Sequence, residues 1–218
     1  MGARDGASRR VTRLLLAETM STTYELLYFP LRGRAEALRL MFHAAGVAFT
    51  NTGVTNWPEL KPKTPLGQLP VLVEKSESGE RQIAQSGAII RHLARMFGLY
   101  GKDEAEMTTT DMVAETVNDW RGKFAPVQFK AFMNTSEDVI AKYWAELPTT
   151  LRTISGLLSS SGLFVGDKLT YADVLAFDAL DGNLAMNADC LAEFPQLKAF
   201  YDKVAAHDGI KAYLAERK

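Results

Sequence analysis

The 218-residue chain has little cysteine or histidine and no long apolar run. Its single cysteine, Cys190, excludes an internal disulfide, and because nothing cationic adjoins it in sequence we interpret it as a structural thiol. The three histidines, His43, His92 and His207, show no metal-ligand spacing. No run approaches the roughly 20 apolar residues that span a bilayer. We therefore expect a soluble, cytoplasmic protein that binds neither a metal nor a membrane.

An excess of charge of one sign is also missing. Lys and Arg number 25 against 26 acidic residues, which gives a formal net charge of -1. Such a balance creates no field that would recruit nucleic acid or an anionic membrane, so small molecules and other proteins are the expected partners. Hydrophobic residues make up 47% of the chain, enough for a large core, and the length favours two modest domains.

Residues 1–22 differ in composition from the rest of the chain. They combine few acids with a short apolar patch at residues 14–16 and four arginines, Arg4, Arg9, Arg10 and Arg13. This composition is typical of a transit peptide, and it is also that of a disordered extension upstream of a start at Met20. We prefer the extension, and the sequence leaves open whether residues 1–19 are translated.

The following 50 residues alternate strand and helix patterns. A strand over residues 24–29 leads through a turn into an amphipathic helix that Gly46 ends. A second strand is predicted near residues 47–50. A long irregular segment, residues 51–69, comes next and has room for one helical turn. Loops of this length often carry function.

Two short strands, residues 71–73 and 81–84, are separated by a polar turn that is typical of a hairpin. A helix follows, with Ser86 as its predicted N-cap and Gly98 after its end. These elements predict a four-stranded mixed sheet over residues 23–98, with a right-handed first crossover. The layout is similar to that of thioredoxin, without a CxxC motif.

The pattern becomes wholly helical after a polar linker at residues 99–106. Residues 107–218 are therefore predicted to form an all-α domain, and the fold class is α/β followed by all-α. Within this domain Thr170 and Asp173 fit a capping box, with Leu169 and Val174 at the positions of a hydrophobic staple. This motif predicts a buried helix start and no chemistry.

Tyr28 stands where the first strand opens into the turn, close to Arg32 and Arg34. A phenol at such a place can donate a hydrogen bond into a pocket that attracts anions, which suits activation of a thiol or another acidic nucleophile. A structural tyrosine with a buried ring and a solvated hydroxyl has the same local sequence, so this residue alone leaves both interpretations open.

Three short fragments together indicate one protein family: Tyr28, the triplet at residues 68–70 and the pair Gln85-Ser86. With these fragments in this order and spacing, the chain from Tyr24 onwards resembles a cytosolic glutathione transferase of the tyrosine type, near the pi and sigma classes. The matching stretches are YFPLRGRAEALRL, WPELKPKTPLGQLPVL, AQSGAIIRHLARMFGLYGKDEAE and GDKLTYADV.

The resemblance implies that Tyr28 hydrogen-bonds the glutathione thiolate and that the Leu69-Pro70 bond is cis, so that the Leu69 backbone pairs with the cysteinyl part of the tripeptide. Gln85 and Ser86 would hold the γ-glutamyl carboxylate at a helix N-terminus. Gln68 is also implied to bind glutathione. Trp57 and Lys61 match positions at the glycyl end, and Arg34 matches one near the γ-glutamyl end. Asp119 matches a carboxylate that reaches the tripeptide amine from a second subunit.

A homodimer and a hydrophobic electrophile pocket follow from the same resemblance. The implied pocket residues are Phe29, Leu31, Phe124 and Phe129. Phe129 occupies a position where pi-like enzymes carry a tyrosine, so a hydroxyl is missing there. Leu66 replaces the aromatic key of some classes, which leaves the strength of the dimer open. Interface candidates, by resemblance only, are Arg91, Arg95 and the helix near Asp111.

The expected function is conjugation of glutathione, as co-substrate, to hydrophobic electrophiles in detoxification. Two alternatives stay open: a glutathione-dependent isomerase or peroxidase of the sigma type, and a non-catalytic glutathione- or ligand-binding member of the fold. Ordinary roles also remain for single residues. Trp57 can pack its loop against the sheet, Lys61 and Arg34 can be solvated surface charges, and Asp119 can be an exposed acid in a helix.

Overall fold

The computed structural model describes residues 22–217, so the predicted N-terminal extension lies outside the described residues except for Thr22. The chain divides into two compact units, Met1–Phe97 and Gly98–Lys218. Within the described range no helix has the length and apolar character needed to cross a membrane.

The first unit is built on a four-stranded sheet. Its strands are β1 (Thr23–Tyr28), β2 (Thr50–Gly53), β3 (Val71–Ser76) and β4 (Gly79–Ala84), and its α-helices are α1 (Glu36–Ala45), α2 (Trp57–Leu60) and α3 (Ser86–Phe97). The strand order is β2-β1-β3-β4, with β1 parallel to β2 and antiparallel to β3, and with β3 antiparallel to β4. The predicted mixed sheet and its hairpin are confirmed.

Strand alternation sets the core of this unit. Tyr24, Leu26 and Tyr28 are the buried residues of β1, while the residues between them are only partly covered. The Tyr24 ring packs on Phe42 of α1 and Phe97 of α3, with centroids 5.4 and 5.8 Å away. One face of β1 is thereby fixed against helices, which also fixes the direction of Tyr28 at the strand end.

The second strand lies later in the chain than predicted. It spans Thr50–Gly53 and not residues 47–50. The reason is the end of α1, where Gly46 has a φ of +65° and the Val47 amide donates to the Phe42 carbonyl at 3.0 Å. This Schellman-type cap occupies the backbone that the predicted strand would have needed.

A cluster of charged side chains joins the hairpin to α3. Glu74 on β3 is buried and accepts a hydrogen bond from Arg81 Nε at 3.1 Å, while its other oxygen lies 2.5 Å from His92 Nε2. Burial alone would raise the pKa of Glu74, but the hydrogen bonds with His92 and Arg81 outweigh burial, and the pKa is lowered.

The described residues of the second unit form α-helices joined by loops, with no strand among them. Its α-helices are α4 (Glu104–Gln128), α5 (Lys130–Met133), α6 (Glu137–Gly156), α7 (Tyr171–Met186), α8 (Pro195–Ala205) and α9 (Asp208–Glu216). α4 begins inside the predicted linker because the Asp103 carboxylate accepts from the Glu106 amide at 2.9 Å and caps the helix there.

The predicted capping box at the start of α7 is confirmed. The Asp173 carboxylate is fully buried and accepts from the amide and hydroxyl of Thr170, both at 2.7 Å, and from the Phe164 amide at 2.9 Å. Burial raises the pKa of Asp173 in spite of these donors. The carboxylate thus starts the most buried helix of the unit and ties it to the preceding loop.

Two further clusters of hydrogen-bonded side chains hold α7 in place. The Trp120 indole donates to the Tyr143 hydroxyl at 2.9 Å, and that hydroxyl donates to Asn183 Oδ1 at 2.6 Å. Burial raises the pKa of Tyr143 to about 12, so the phenol stays neutral. On the same helix, Asp181 accepts from Arg217 Nη2 at 2.7 Å and from the Tyr201 hydroxyl at 2.9 Å.

Candidate active site

Tyr28 ends β1 with its ring buried and its hydroxyl against a backbone amide. The Arg34 N–H donates to the phenol oxygen at 3.1 Å, and no described residue accepts the phenol hydrogen. A phenol oxygen that accepts one hydrogen bond becomes a better donor through its own O–H. The strand end therefore presents a donor whose orientation is set by the backbone that follows it.

The turn after β1 brings its backbone unusually close to this phenol. Gly33 has a φ of +47°, and a Cβ placed on it would lie 2.6 Å from the Tyr28 hydroxyl oxygen and 2.7 Å from Leu31 Cδ1. Real Cβ atoms do not approach other atoms so closely, so any other residue at this position would force the phenol or the Leu31 side chain to move. The short 3-10 helix Gly33–Ala35 then delivers the Arg34 amide to the phenol.

A second polar group of predicted residues gathers at the start of α3. Gln85 Nε2 donates to Gln68 Oε1 at 3.3 Å, and Ser86 is the first residue of the helix. Gln85 has a φ of +72°, which is a strained conformation for a residue with a side chain. Strain of this kind is found where a side chain is held for binding, and the helix N-terminus beside it favours an anion.

The N-cap of this helix differs from the prediction. The carbonyl of Gln85, and not that of Ser86, accepts the first helical hydrogen bonds, from the Ala88 amide at 3.0 Å and the Ile89 amide at 2.9 Å. Ser86 is therefore the first residue inside the helix. Its hydroxyl belongs to the first turn, where amides are still free of helical partners.

The Leu69-Pro70 peptide bond is cis, as predicted. Leu69 is partly exposed and Pro70 is buried just before β3, so the Leu69 backbone leads into that strand. Gln68 is exposed beside it.

The loop residues Trp57 and Lys61 sit in and after α2. Trp57 is half-buried, and its ring meets the Phe29 ring edge-on with centroids 5.9 Å apart. Lys61 is exposed, its carbonyl accepts from the Thr64 hydroxyl at 2.9 Å, and its aliphatic stem lies beside Gly67. Lys61 is thus open to solvent, whereas Trp57 is held partly against Phe29.

Two predicted pocket residues, Phe29 and Leu31, lie within three residues of Tyr28. The Phe29 ring lies 5.7 Å from the Tyr28 ring, which places it between that phenol and Trp57. Leu31 is 43% exposed, and its amide donates to the Phe29 carbonyl at 2.7 Å. The first unit thus carries an apolar surface beside the phenol.

The other predicted site residues belong to the second unit. Asp119 is exposed on α4, and Phe129 is half-buried at the end of that helix. Phe124 is buried, its ring 5.4 Å from that of Tyr143 and in contact with Gly182 of α7. Packing inside the helical unit leaves Phe124 little surface for a ligand.

Several interface candidates also have contacts inside their own unit. Arg91 donates to the Gly87 carbonyl at 3.3 Å, and Asp111 accepts from the Tyr100 hydroxyl at 2.8 Å and from the Tyr171 hydroxyl. Leu66, at the position of the aromatic key, is 56% exposed.

Cys190 is half-buried, and burial raises the pKa of its thiol, which suits a structural role.

Sequence reasoning missed two parts of the site. The first is Gly33, five residues after Tyr28, whose left-handed backbone lets the turn fold onto the phenol. Arg39 was not singled out, yet it is buried in α1 and bonded to the same turn. The available signal was a charged residue within the buried stretch of an amphipathic helix.

Among the described residues no group of three His, Cys, Asp or Glu side chains is placed to hold a metal ion.

Two family models match the chain. One, described as the glutathione S-transferase N-terminal domain, covers residues 24–95, and the other, described as the glutathione S-transferase C-terminal domain, covers residues 118–217. Glutathione S-transferase P of Caenorhabditis elegans is 38% identical over 202 residues, and the glutathione S-transferase of Dirofilaria immitis is 35% identical over 201 residues. Each alignment covers 89% of this chain and 93% of the relative.

Solved structures give the same likeness. The glutathione S-transferase from Ascaris lumbricoides has a TM-score of 0.81 at 34% identity, covering 90% of this chain and 98% of that one. Proteins with other names are also similar. S-crystallin SL11 of Nototodarus sloanii is 34% identical over 89% of this chain and 97% of its own, and prostaglandin synthase D of Nilaparvata lugens has a TM-score of 0.78 at 28% identity, covering 90% and 99%.

Proposed function

The chain belongs to the glutathione S-transferase family, and from that membership we propose that Tyr28 activates the glutathione thiol for conjugation to hydrophobic electrophiles. The observation that supports the proposal is the hydrogen bonding of the Tyr28 phenol. Its oxygen accepts from the Arg34 amide at 3.1 Å, and no described residue takes its hydrogen, which leaves that hydrogen for a ligand. A thiolate bound at the end of β1 is the ligand that the family supplies.

The energy that this hydrogen bond must provide is modest. A free thiol has a pKa of about 8.5, so only a few per cent is ionised at neutral pH. Lowering that pKa by about two units, or about 2.7 kcal/mol, makes the thiolate the main form. One charge-assisted hydrogen bond contributes about 1.5–3 kcal/mol. The phenol therefore suffices, and the protein needs no base because the thiol proton leaves to solvent.

The chemical step follows from the thiolate. With an aryl halide, the sulfur lone pair forms the new S–C bond, the C–halogen bond breaks, and halide leaves with its electron pair. With an activated alkene, the sulfur adds to carbon and solvent returns a proton to the neighbouring carbon. In both reactions the enzyme raises the fraction of nucleophile that is ionised and holds it beside the electrophile.

Glutathione itself would lie along the first unit. Gln85 and Ser86 would take the γ-glutamyl carboxylate at the N-terminus of α3, where the helix dipole favours a negative charge. The Leu69 backbone would pair with the cysteinyl part, with Gln68 beside it. Assigned to the glycyl end are Trp57 and Lys61, and to the γ-glutamyl end Arg34. The strained backbone of Gln85 supports a binding role for its side chain.

The remaining assignments require a second subunit or a second substrate. We propose a homodimer in which Asp119 reaches the tripeptide amine of the partner's site. We assign Phe29, Leu31 and Phe129 to the electrophile pocket and give Phe124 the supporting role that its packing on Tyr143 suggests. The location proposed for this enzyme is the cytoplasm, as expected for conjugation of small electrophiles.

A second reaction on the same thiolate is isomerisation or peroxide reduction. It is favoured by the likeness to a solved prostaglandin synthase D, and product analysis with the same enzyme distinguishes it from conjugation. The likeness to an S-crystallin keeps a non-catalytic member as the contrasting possibility. Such a protein has no need of a phenol with a free hydrogen, which argues for the enzyme.

The test compares the chain beginning at Met20 with its Tyr28→Phe variant in conjugation of glutathione to an aryl halide between pH 5 and 9. The variant should keep glutathione affinity, lose about a hundredfold in rate at neutral pH, and move the midpoint of its pH profile towards that of free glutathione. Tyr24→Phe is the matched control, because Tyr24 lies in the same strand with a buried hydroxyl that has no described partner. Uncatalysed rates in the wild type, with glutathione still bound, would refute the transferase proposal.

A further inference from the structure

Arg39 lies on α1 and points its guanidinium at the turn that follows β1. The side chain is 7% exposed. Its Nη1 donates to the carbonyl of Leu31 at 3.2 Å and to that of Arg32 at 3.3 Å, and it also contacts Glu36 Oε2 at 3.0 Å. Its Nε donates to Asn51 Oδ1 at 3.0 Å. One buried cation thus joins α1, the turn and β2.

The carbonyls that Arg39 binds are those of the turn that shapes the site. The Leu31 and Arg32 carbonyls lie beyond the paired residues of β1. Their hydrogen-bond donors must therefore come from outside the sheet. Gly33 follows directly with its left-handed backbone, and the next amide, that of Arg34, meets the phenol oxygen of Tyr28. The short backbone segment from Leu31 to Arg34 therefore links the guanidinium to the hydrogen bond that orients the phenol.

We propose that Arg39 is a positioning residue for Tyr28: its guanidinium fixes the turn so that the Arg34 amide meets the phenol oxygen and directs the phenol hydrogen towards the thiolate. The inference rests on the role proposed for Tyr28. Arg39 is buried and its described partners are the turn, Glu36 and Asn51, so the proposal gives it no contact with glutathione. It acts through the backbone between residues 31 and 34.

The geometry requires a guanidinium rather than a simple positive charge. Arginine offers donors in several directions from one rigid plane, so it binds Asn51 through Nε and the turn through Nη1. A lysine at this position keeps a charge near Glu36 but carries its three N–H donors on a single nitrogen, so it cannot bind Asn51, Glu36 and both turn carbonyls together. Arg39→Lys therefore keeps the buried ion pair and gives up part of the hold on the turn.

The experiment measures the pH dependence of conjugation and the ultraviolet absorbance of bound glutathione thiolate for wild type, Arg39→Lys and Tyr28→Phe. In Arg39→Lys we expect KM for glutathione to stay within about twofold, kcat at pH 6.5 to fall about tenfold, and the thiolate titration to move up by about one pH unit. Asn51→Ala is the matched control. It removes a hydrogen bond of Arg39 that does not involve the turn, and it should leave the titration midpoint unchanged.

The outcomes separate the two ideas. If Tyr28→Phe shifts the titration and Arg39→Lys does not, Arg39 only supports the fold and the inference is overturned. If Tyr28→Phe itself leaves the titration unchanged, the proposed role of the phenol fails instead. Should Arg39→Lys not fold, the double variant Arg39→Gln with Glu36→Gln, which buries no charge, takes its place. Failure of both to fold marks Arg39 as a folding residue and also overturns the inference.

Discussion

Gly33→Ala is the sharpest single test of how the turn holds the phenol. The added methyl carbon would lie 2.6 Å from the Tyr28 hydroxyl oxygen, 2.7 Å from Leu31 Cδ1 and 3.0 Å from Tyr28 Cε1. At a φ of +47° the alanine backbone also costs about 1 kcal/mol. Relief of the overlap by moving the ring or the turn costs a further 1–3 kcal/mol, roughly. The free energy of unfolding should therefore fall by about 2–4 kcal/mol.

The matched control is Gly46→Ala at the end of α1. Gly46 has a φ of +65°, so alanine meets the same backbone penalty, but no atom lies within 4 Å of its added methyl carbon. Urea unfolding of this variant should show a loss of about 1 kcal/mol. Its conjugation rate should equal that of the wild type, because the helix end is not in contact with Tyr28.

Activity distinguishes the two alanine variants. The overlap in Gly33→Ala displaces the phenol from the Arg34 amide, so its rate at neutral pH should fall about a hundredfold, close to the Tyr28→Phe rate, with glutathione affinity kept. Equal stability losses in the two variants, together with an unchanged rate in Gly33→Ala, would refute the conclusion that the turn backbone packs against the phenol.

Three further predictions concern stability, measured by urea unfolding. Because the pKa of Glu74 is lowered in the fold, its ionisation stabilises the protein above about pH 4.5, and this contribution should disappear as the pH falls through the folded pKa; Glu74→Gln should flatten the acid limb. Tyr143→Phe leaves a buried indole N–H and a buried amide oxygen without partners and should cost about 3 kcal/mol with no loss of rate. Arg217→Met removes a buried cation from Asp181 and should cost about 3 kcal/mol. Lys198→Met removes one member of an exposed ion pair and should cost under about 0.5 kcal/mol. Equal losses in the two variants would contradict the importance of the buried pair.

The main architecture was predictable because it follows from hydrophobic period and turn chemistry. The alternating pattern of β1 and the polar turn of the hairpin each act over a few neighbouring residues, so the sequence displays them directly. The capping box at Thr170 and Asp173 is equally local. Local rules failed at the second strand, where the cap of α1 extended over Val47 and delayed the start of β2 to Thr50.

The site was predictable only in part, for a related reason. Which polar residues assemble near Tyr28 could be proposed from their order along the chain, but the conformation of each could not. A glutamine with a φ of +72° has no sequence signature, so the N-cap was placed at Ser86 and not at Gln85. The role of Arg39 depends on carbonyls seven and eight residues earlier in the chain, and on a side chain of β2, which no periodic pattern relates to it.

The backbone of Gln85 has a consequence for directed evolution of this enzyme. Glycine at position 85 would adopt the same left-handed conformation freely and would gain roughly 1 kcal/mol of stability. It would also delete the amide that bonds Gln68. A library screened only for heat resistance should therefore accept glycine at this position, while a library screened for turnover at low glutathione should reject it. Thermostable variants of this chain are best selected with both criteria applied together.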